Sequence, residues 1–399
     1  MTDPASPDDR HVLGLPGAWA MAVGGMIGGG IFSTLGVVIS VAGHWAWTSF
    51  LVGGLIALAT GQSYSSLTRT IDEAGGLYTF LHHLGLKRLA TLAAWVLVIG
   101  YTLTVAVYGF TFGAYASHAL GTDGWVRSFA AVGAIGVLAA INLIGAREAT
   151  VIELVAVWGK LAILLGLAGI GLWNWAPERL VLDPNQPVTV VGAMVGAGVV
   201  FMAYEGFQLL SYDYDEMKDP PRVIGRAMPL AILVTMAVYI LVALGTPMLV
   251  PAREIVGQEE ISLAAAGHAA AGQAGLVAVT IAAIFSTSSA INATVFATAR
   301  LAHKAASDGQ LPDLFARENE AGVPWVGTVL ISCVAAVLAV FGGIASLVES
   351  GSFVFLIVFG AVNAIALHQR VGLRWASWIG LLGSAGAALA LLAYLTGWV

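Results

Sequence analysis

The stretch GGMIGGGIF at residues 24–32 decides the fold. It sits inside an apolar run long enough to cross a bilayer and puts Gly24, Gly25, Gly28, Gly29 and Gly30 within seven residues. Each glycine costs about 0.8–1 kcal/mol against alanine in a helix interior. Three in succession, Gly28 to Gly30, therefore predict local unwinding in mid-membrane. A second run, around VVFMAYEGFQ at 199–208, carries Gly192, Gly196, Gly198 and Gly206 together with an acid, Glu205. There the glycines fit either a break or close helix packing.

Working outward, the composition demands a membrane. Of 399 residues, 58% are apolar and 10% charged, against about 25% charged in soluble domains. Apolar runs near 13–40, 45–68, 90–119, 128–145, 151–173, 188–212, 228–249, 275–299, 324–342, 350–368 and 375–397 match the roughly 20 residues that a spanning helix needs. The sequence thus predicts an all-α integral membrane protein with eleven transmembrane helices. Residues 1–12, with their acidic stretch Asp3 to Asp9, form a tail and lack the basic start of a signal peptide. The segment Pro251 to Gly272 fits an amphipathic helix over one face, or a plain loop.

The two glycine-interrupted runs are the first and the sixth, five apart. Interrupted helices at matching positions of two halves point to a transporter's central site. The halves are then 13–173 and 188–368, a 5+5 inverted repeat, with 375–397 as an additional C-terminal helix. A break frees backbone groups that lipid cannot satisfy, so it must line a cavity or a ligand. N–H groups after Gly28–Gly30 suit a carboxylate, and carbonyls near Phe201, Met202 and Ala203 suit an ammonium. Together they fit an α-amino acid.

The basic residues set an orientation. With the N-terminus cytoplasmic, only Arg127, Arg179 and Arg253 of the 17 Lys and Arg residues fall in outer loops, and Lys160 falls within a span. The expectation is a multi-pass cell-membrane protein with its N-terminus in the cytoplasm and its C-terminus outside. No basic patch suits nucleic acid. The lone Cys333 and the eight histidines show no metal-ligand spacing, so neither metal nor cofactor is expected. An intramembrane enzyme would need paired His and acid residues within spans. Glu205 and Lys160 are the only ionisable side chains read as deeply embedded, so no enzyme is expected.

Four stretches carry a family resemblance. GGMIGGGIF (24–32), YSSLTRTIDEAGGLYTF (64–80), VVFMAYEGFQ with DEMKDPPRVIGRAM (199–208 and 215–228) and FSTSSAINATVFATARLAHKAASDGQLP (285–312) resemble, in order, signatures of the amino acid–polyamine–organocation family. The resemblance covers essentially the whole chain. It implies an inverted-repeat, LeuT-type fold and a secondary transporter of amino acids. It implies carboxylate binding at the backbone of Gly28, Gly29 and Gly30, with Met26 and Ile27 just before them. It implies amine binding at the carbonyls of Phe201, Met202 and Ala203, with Tyr204 and Glu205 nearby. Many members have twelve helices, and eleven here leaves contacts of a twelfth without a counterpart.

Lys160 is the sharpest single residue. A lysine near a helix centre costs about 2.5–3.5 kcal/mol on insertion scales, so it faces the protein interior and a partner. It lies roughly 15 Å beyond Thr150 at 1.5 Å per residue, too deep for easy snorkelling. Relatives using sodium hold the ion between helix 1 and helix 8 hydroxyls. This chain resembles the proton-coupled members, with Lys160 filling that place beside Ser288 and Ser289. Glu205 either contacts substrate or titrates during transport, or is a structural acid bonded to the nearby break. Tyr101, Tyr108, Phe285 and Phe353 either line the site or pack. The third span holds no acid, which favours a neutral L-amino acid over cationic substrates. The reading is a permease moving an amino acid with protons through the lipid bilayer, independently of sodium. The alternatives are a sodium symporter, an exchanger, or a sensor that binds without transporting.

Overall fold

In a computed structural model, the structure describes residues 13–122, 124–145, 150–182, 190–258 and 260–398, with the side chains of 150–153 left aside. The tail 1–12, Arg147, Glu259 and the first two residues of the expected sixth run lie outside the described residues. Among the described residues fourteen α-helices follow in order: α1 (Leu15–Ala42), α2 (Ala46–Ile71), α3 (Leu77–His83), α4 (Lys87–Ala119), α5 (Trp125–Leu143), α6 (Thr150–Trp173), α7 (Val190–Val199), α8 (Phe201–Tyr204), α9 (Pro220–Leu249), α10 (Ala252–Gly257), α11 (Ser262–Ser307), α12 (Trp325–Phe341), α13 (Ile344–Gln369) and α14 (Arg374–Leu395). The described residues form no sheet, only an isolated bridge between Leu13 and Met217.

Nine stretches among the described residues are long and apolar enough to cross a membrane. The first, Leu15–Ile71, is 57 residues long and holds both α1 and α2, separated by the tight turn Gly43–Trp45. α12, at 17 residues, is apolar but shorter than the rest.

Burial sorts the helices into a centre and a rim. The most apolar window of Leu15–Ile71 is 94% buried, whereas those of α5 and α14 are 22% buried. α1 is the hub, packing on α9, α11, α7 and α6. α14 lies outside, against α13, α2 and α7, and presents Trp375, Trp378, Leu382 and Leu389 outward. An apolar exterior of this kind suits lipid, where water offers no hydrophobic drive between helices.

α1 does not unwind. It is one helix from Leu15 to Ala42, so the break expected at Gly28–Gly30 is corrected. Two features mark this stretch. Ser33 Oγ donates to Gly29 O at 2.7 Å and Thr34 Oγ1 to Gly30 O at 2.8 Å. The glycines also admit neighbours that a Cβ would exclude: at Gly28 it would stand 2.6 Å from Ala290 Cβ, and at Gly29 it would enter the Tyr108 ring. Packing offsets the helical cost of glycine.

The sixth run does break. After α7 the chain turns at Val200 into the single turn of α8, then becomes extended at Glu205 (φ −61°, ψ 137°). Gly206 takes φ 129° before a 3-10 stretch, Phe207–Glu216. That conformation is open to glycine and scarcely to other residues. Backbone bonds from Leu13 N–H to Glu216 O and from Lys218 N–H to Leu13 O, 3.0 and 3.1 Å, tie this segment to the start of α1.

Segment 251–272 is helical over most of its length rather than a plain loop. α10 is followed by an arm, 262–270, which turns at Ala271 and Gly272 (φ 59°) into the long part of α11. Gly267 and Gly275 let the arm fold closely back: a Cβ on Gly267 would stand 2.7 Å from Gly275 O. Arg127 of α5 clamps Glu260 just before the arm, at 2.9 and 3.0 Å, with its guanidinium 4.5 Å from the Phe110 ring centre.

Candidate substrate site

The break of the sixth run lies directly on α1. A Cβ on Gly206 would stand 2.7 Å from Met26 N, and one on Gly25 3.2 Å from Gly206 Cα. Gly30 meets Ala203 in the same way, its Cβ position 2.7 Å from Ala203 O and 2.8 Å from Ala203 Cα. Glycine at 25, 30 and 206 thus brings two backbones into contact at the centre of the protein.

Backbone groups freed by the break are taken up by side chains from other helices. Ser352 of α13 accepts the Met202 N–H at 2.9 Å and donates to Val199 O at 2.7 Å, bridging the α7–α8 turn. Tyr239 of α9 places its hydroxyl 2.7 Å from Met26 O and 2.9 Å from Ala203 O, joining α1 to α8. Gln208 Oε1 accepts the Gly206 N–H at 3.0 Å, which fixes its amide and aims Nε2 at Glu205 Oε1, 2.9 Å away. Tyr108 OH lies 3.4 Å from Glu205 Oε2. Phe201, Phe207, Phe355 and Phe359 pack around the break with ring centres 5.2 to 6.0 Å apart.

Met26, Ile27, Gly28, Gly29 and Gly30 on α1, and Phe201, Met202, Ala203 and Glu205, are all buried. The structure brings the two groups together across the Gly30–Ala203 and Met26–Tyr239–Ala203 contacts. Lys160 is buried as well, with Nζ donating to Gly24 O at 3.2 Å. The two serines separate. Ser289 lines the large cavity with Gly24 and Gly25, whereas Ser288 turns into a shallow hollow with Phe112, Ala134 and Leu138 of α4 and α5. Of the four aromatic candidates, Tyr101 and Tyr108 approach Gln208 and Glu205, while Phe285 faces outward, 67% exposed.

That cavity has a volume of about 790 Å³ and opens at the end of the bundle where α1 begins and α11 ends. It reaches inward to Gly24, Gly25, Ser289 and Ala290, one turn short of Gly28. Its mouth is braced by the ion pair of Lys304 with Glu73 and by the approach of His303 to Glu318 at 3.3 Å. Tyr78 donates to Asp308 at 2.8 Å, and burial and that carboxylate push the tyrosine pKa above its ordinary value.

The sequence missed Tyr239, Ser352 and the bridging role of Gln208, because single polar residues in apolar runs carry no spacing signal. It also missed Glu349. The expected tenth span began at residue 350, but α13 starts at Ile344 and draws Glu349 inside, 9% exposed. Among the described residues no group of three or more His, Cys, Asp or Glu side chains is placed to hold a metal ion.

Comparison with known proteins decides the family, for the Amino acid permease model matches residues 13–399. The chain belongs to that family. It is 28% identical over 362 residues, 90% of this chain and 84% of its relative, to the inner membrane transport protein YbaT of Escherichia coli. It is 30% identical over 374 residues to an uncharacterized protein of Methanocaldococcus jannaschii, covering 91% and 84% of the two chains. It is 26% identical over 306 residues to the serine/threonine exchanger SteT of Bacillus subtilis, covering 76% and 70%. This permease is a multi-pass membrane transporter, as the resemblance of its four motifs implied.

Proposed function

We propose that this permease is a secondary active transporter of a neutral L-amino acid, coupled to protons and independent of sodium. The observation that carries the reading is Lys160 Nζ on Gly24 O at 3.2 Å, at the floor of the cavity where α1 meets the broken helix. A buried ammonium there supplies the positive charge that a sodium ion would otherwise bring, and it can lose its proton. Charged, it ties α6 to the inner part of α1. Neutral, it releases α1 to tilt.

The central site comprises Met26 to Gly30 on one side and Phe201 to Ala203, with Glu205, on the other. The described conformation is closed over that site: the α1 ladder is intact and the cavity ends at Gly24 and Gly25. Carboxylate binding at Gly28–Gly30 requires α1 to open there, and amine binding at Ala203 O requires Tyr239 to yield. Ser289 lines the cavity with Gly24, whose carbonyl Lys160 reaches. Ser288 faces α4 and α5 and joins the coupling site only if α11 rotates.

The same reading divides the chain into repeats 13–173 and 188–368 plus helix 375–397. Leu15–Ile71 then crosses twice and the short α12 crosses once, giving eleven spans. The cavity mouth faces the cytoplasm, where most Lys and Arg lie, and the C-terminus faces outward.

Purified protein in sodium-free proteoliposomes tests this. Uptake of labelled neutral amino acid is expected to accelerate under an inward proton gradient, and Lys160→Ala is expected to lose the acceleration while still binding substrate. Strict sodium dependence, or an undiminished proton response in Lys160→Ala, would sink the coupling. The relative named as an exchanger favours a second reading, in which uptake appears only into vesicles preloaded with amino acid.

A further inference from the structure

The cavity wall formed by α11 carries a second polar station, away from the central site. Asn142 of α5 is buried and donates Nδ2 to Leu138 O at 3.0 Å and to Asn292 Oδ1 at 2.7 Å. A carbonyl can only accept, so Leu138 fixes the Asn142 amide, and Asn142 in turn fixes Asn292. The oxygen of Asn292 is therefore turned to Asn142, and its NH2 meets no protein acceptor among the described residues. Asn292 lines the cavity, so those two donors open onto it.

Arg300 stands two helical turns further along the same face. Its guanidinium lies over the Phe296 ring, 5.0 Å from the centre, as expected for a helical side chain reaching back toward the N-terminus. That brings the charge to the level of residue 296, one turn, or ~6 Å, from Asn292. The neighbouring basic side chains are engaged, Lys304 by Glu73 and His303 by Glu318. Among the described residues no carboxylate lies within ion-pair distance of Arg300. Asp215 lines the same cavity. An amide NH2 and a planar guanidinium one turn apart form a fork for a carboxylate. The Asp215 carboxylate favours a ligand that also bears an ammonium.

We propose that Asn292 and Arg300 form a vestibular carboxylate station that holds a zwitterionic amino acid between the central site and the cavity mouth. The station rests on the transport reading only for its natural ligand, since the fork itself would take any small carboxylate. Phe296 supplies the apolar floor and orients the guanidinium.

Propionate, which lacks the amine needed by the central site, probes the station alone. Binding to the full-length detergent-solubilised protein can be followed by ligand-observed NMR, with propionamide as the neutral control. Propionate is expected to bind in the millimolar range and propionamide not to bind. Arg300→Gln is expected to weaken propionate about tenfold, the loss of one charge-assisted contact. Asn292→Leu should weaken it severalfold, and Arg300→Lys should retain more than Arg300→Gln, each checked for an unchanged melting temperature. Equal binding of propionate and propionamide, undiminished binding in well-folded Arg300→Gln or Asn292→Leu, or no propionate binding at all overturns the station. Neutral amino acid flux measured on the same preparations separates the readings: propionate binding without that flux removes the proposed substrate and coupling and leaves the station standing.

Discussion

α1 and the 190–216 segment meet at the centre of the protein, and the one richer in glycine, with seven against four, is the unbroken helix. In α1 every glycine from 25 to 30 is packed from outside, by Gly206, Ala290, Tyr108 or Ala203, and the carbonyls of Gly29 and Gly30 also accept from Ser33 and Thr34. In the other segment a single glycine, Gly206, takes a left-sided φ, and Ser352, Tyr239 and Gln208 accept the consequences for the backbone. The number of glycines does not make a break. What matters is whether the freed N–H and C=O groups find partners outside their own helix.

The sharpest way to break this comparison is Gly206→Ala. A Cβ there is forced into a φ of 129° and onto Met26 N. A cost of about 3–5 kcal/mol is expected from strain and overlap together. It should appear as the largest fall in melting temperature of any central glycine variant. A mild effect would mean that the segment can straighten like α1.

Ser352→Ala tests the side-chain repair of the same break. It leaves the Met202 N–H and Val199 O without their shared partner. About 2 kcal/mol should be lost, and Ser352→Thr should recover part of it. Gly25→Ala is expected to have the smallest effect on stability. Its Cβ would press on Gly206 at 3.2 Å, while alanine returns up to about 1 kcal/mol of helix propensity, so the melting temperature should move little. If α1 must tilt against Gly206 during transport, flux through Gly25→Ala falls even though the fold survives. Unchanged flux would show that this contact is static packing.

Much of the architecture was legible in the chain. Hydropathy runs located the helices, because a bilayer leaves few other ways to satisfy an apolar backbone. The spacing of the glycine clusters singled out the two central segments, and Lys160 was found by its depth alone. Glu349 escaped because helix ends are set by local hydrogen bonding rather than by hydropathy. Ser288 and Ser289 were indistinguishable in sequence. Adjacent residues on a helix point about 100° apart, and only the packing of α11 against α4, α5 and α1 decides which one sees the cavity.

Sequence alone determined that this protein lives in a membrane, which helices are central and that Lys160 and Glu205 are buried, since each follows from the cost of polar and flexible groups in hydrocarbon. Tertiary structure alone decided which glycine run breaks, where the break finds its partners, and that the cavity stops one turn short of Gly28. Those outcomes depend on side chains such as Tyr239 and Ser352, brought from distant parts of the chain. No local pattern encodes a partner that arrives only when the helices have packed.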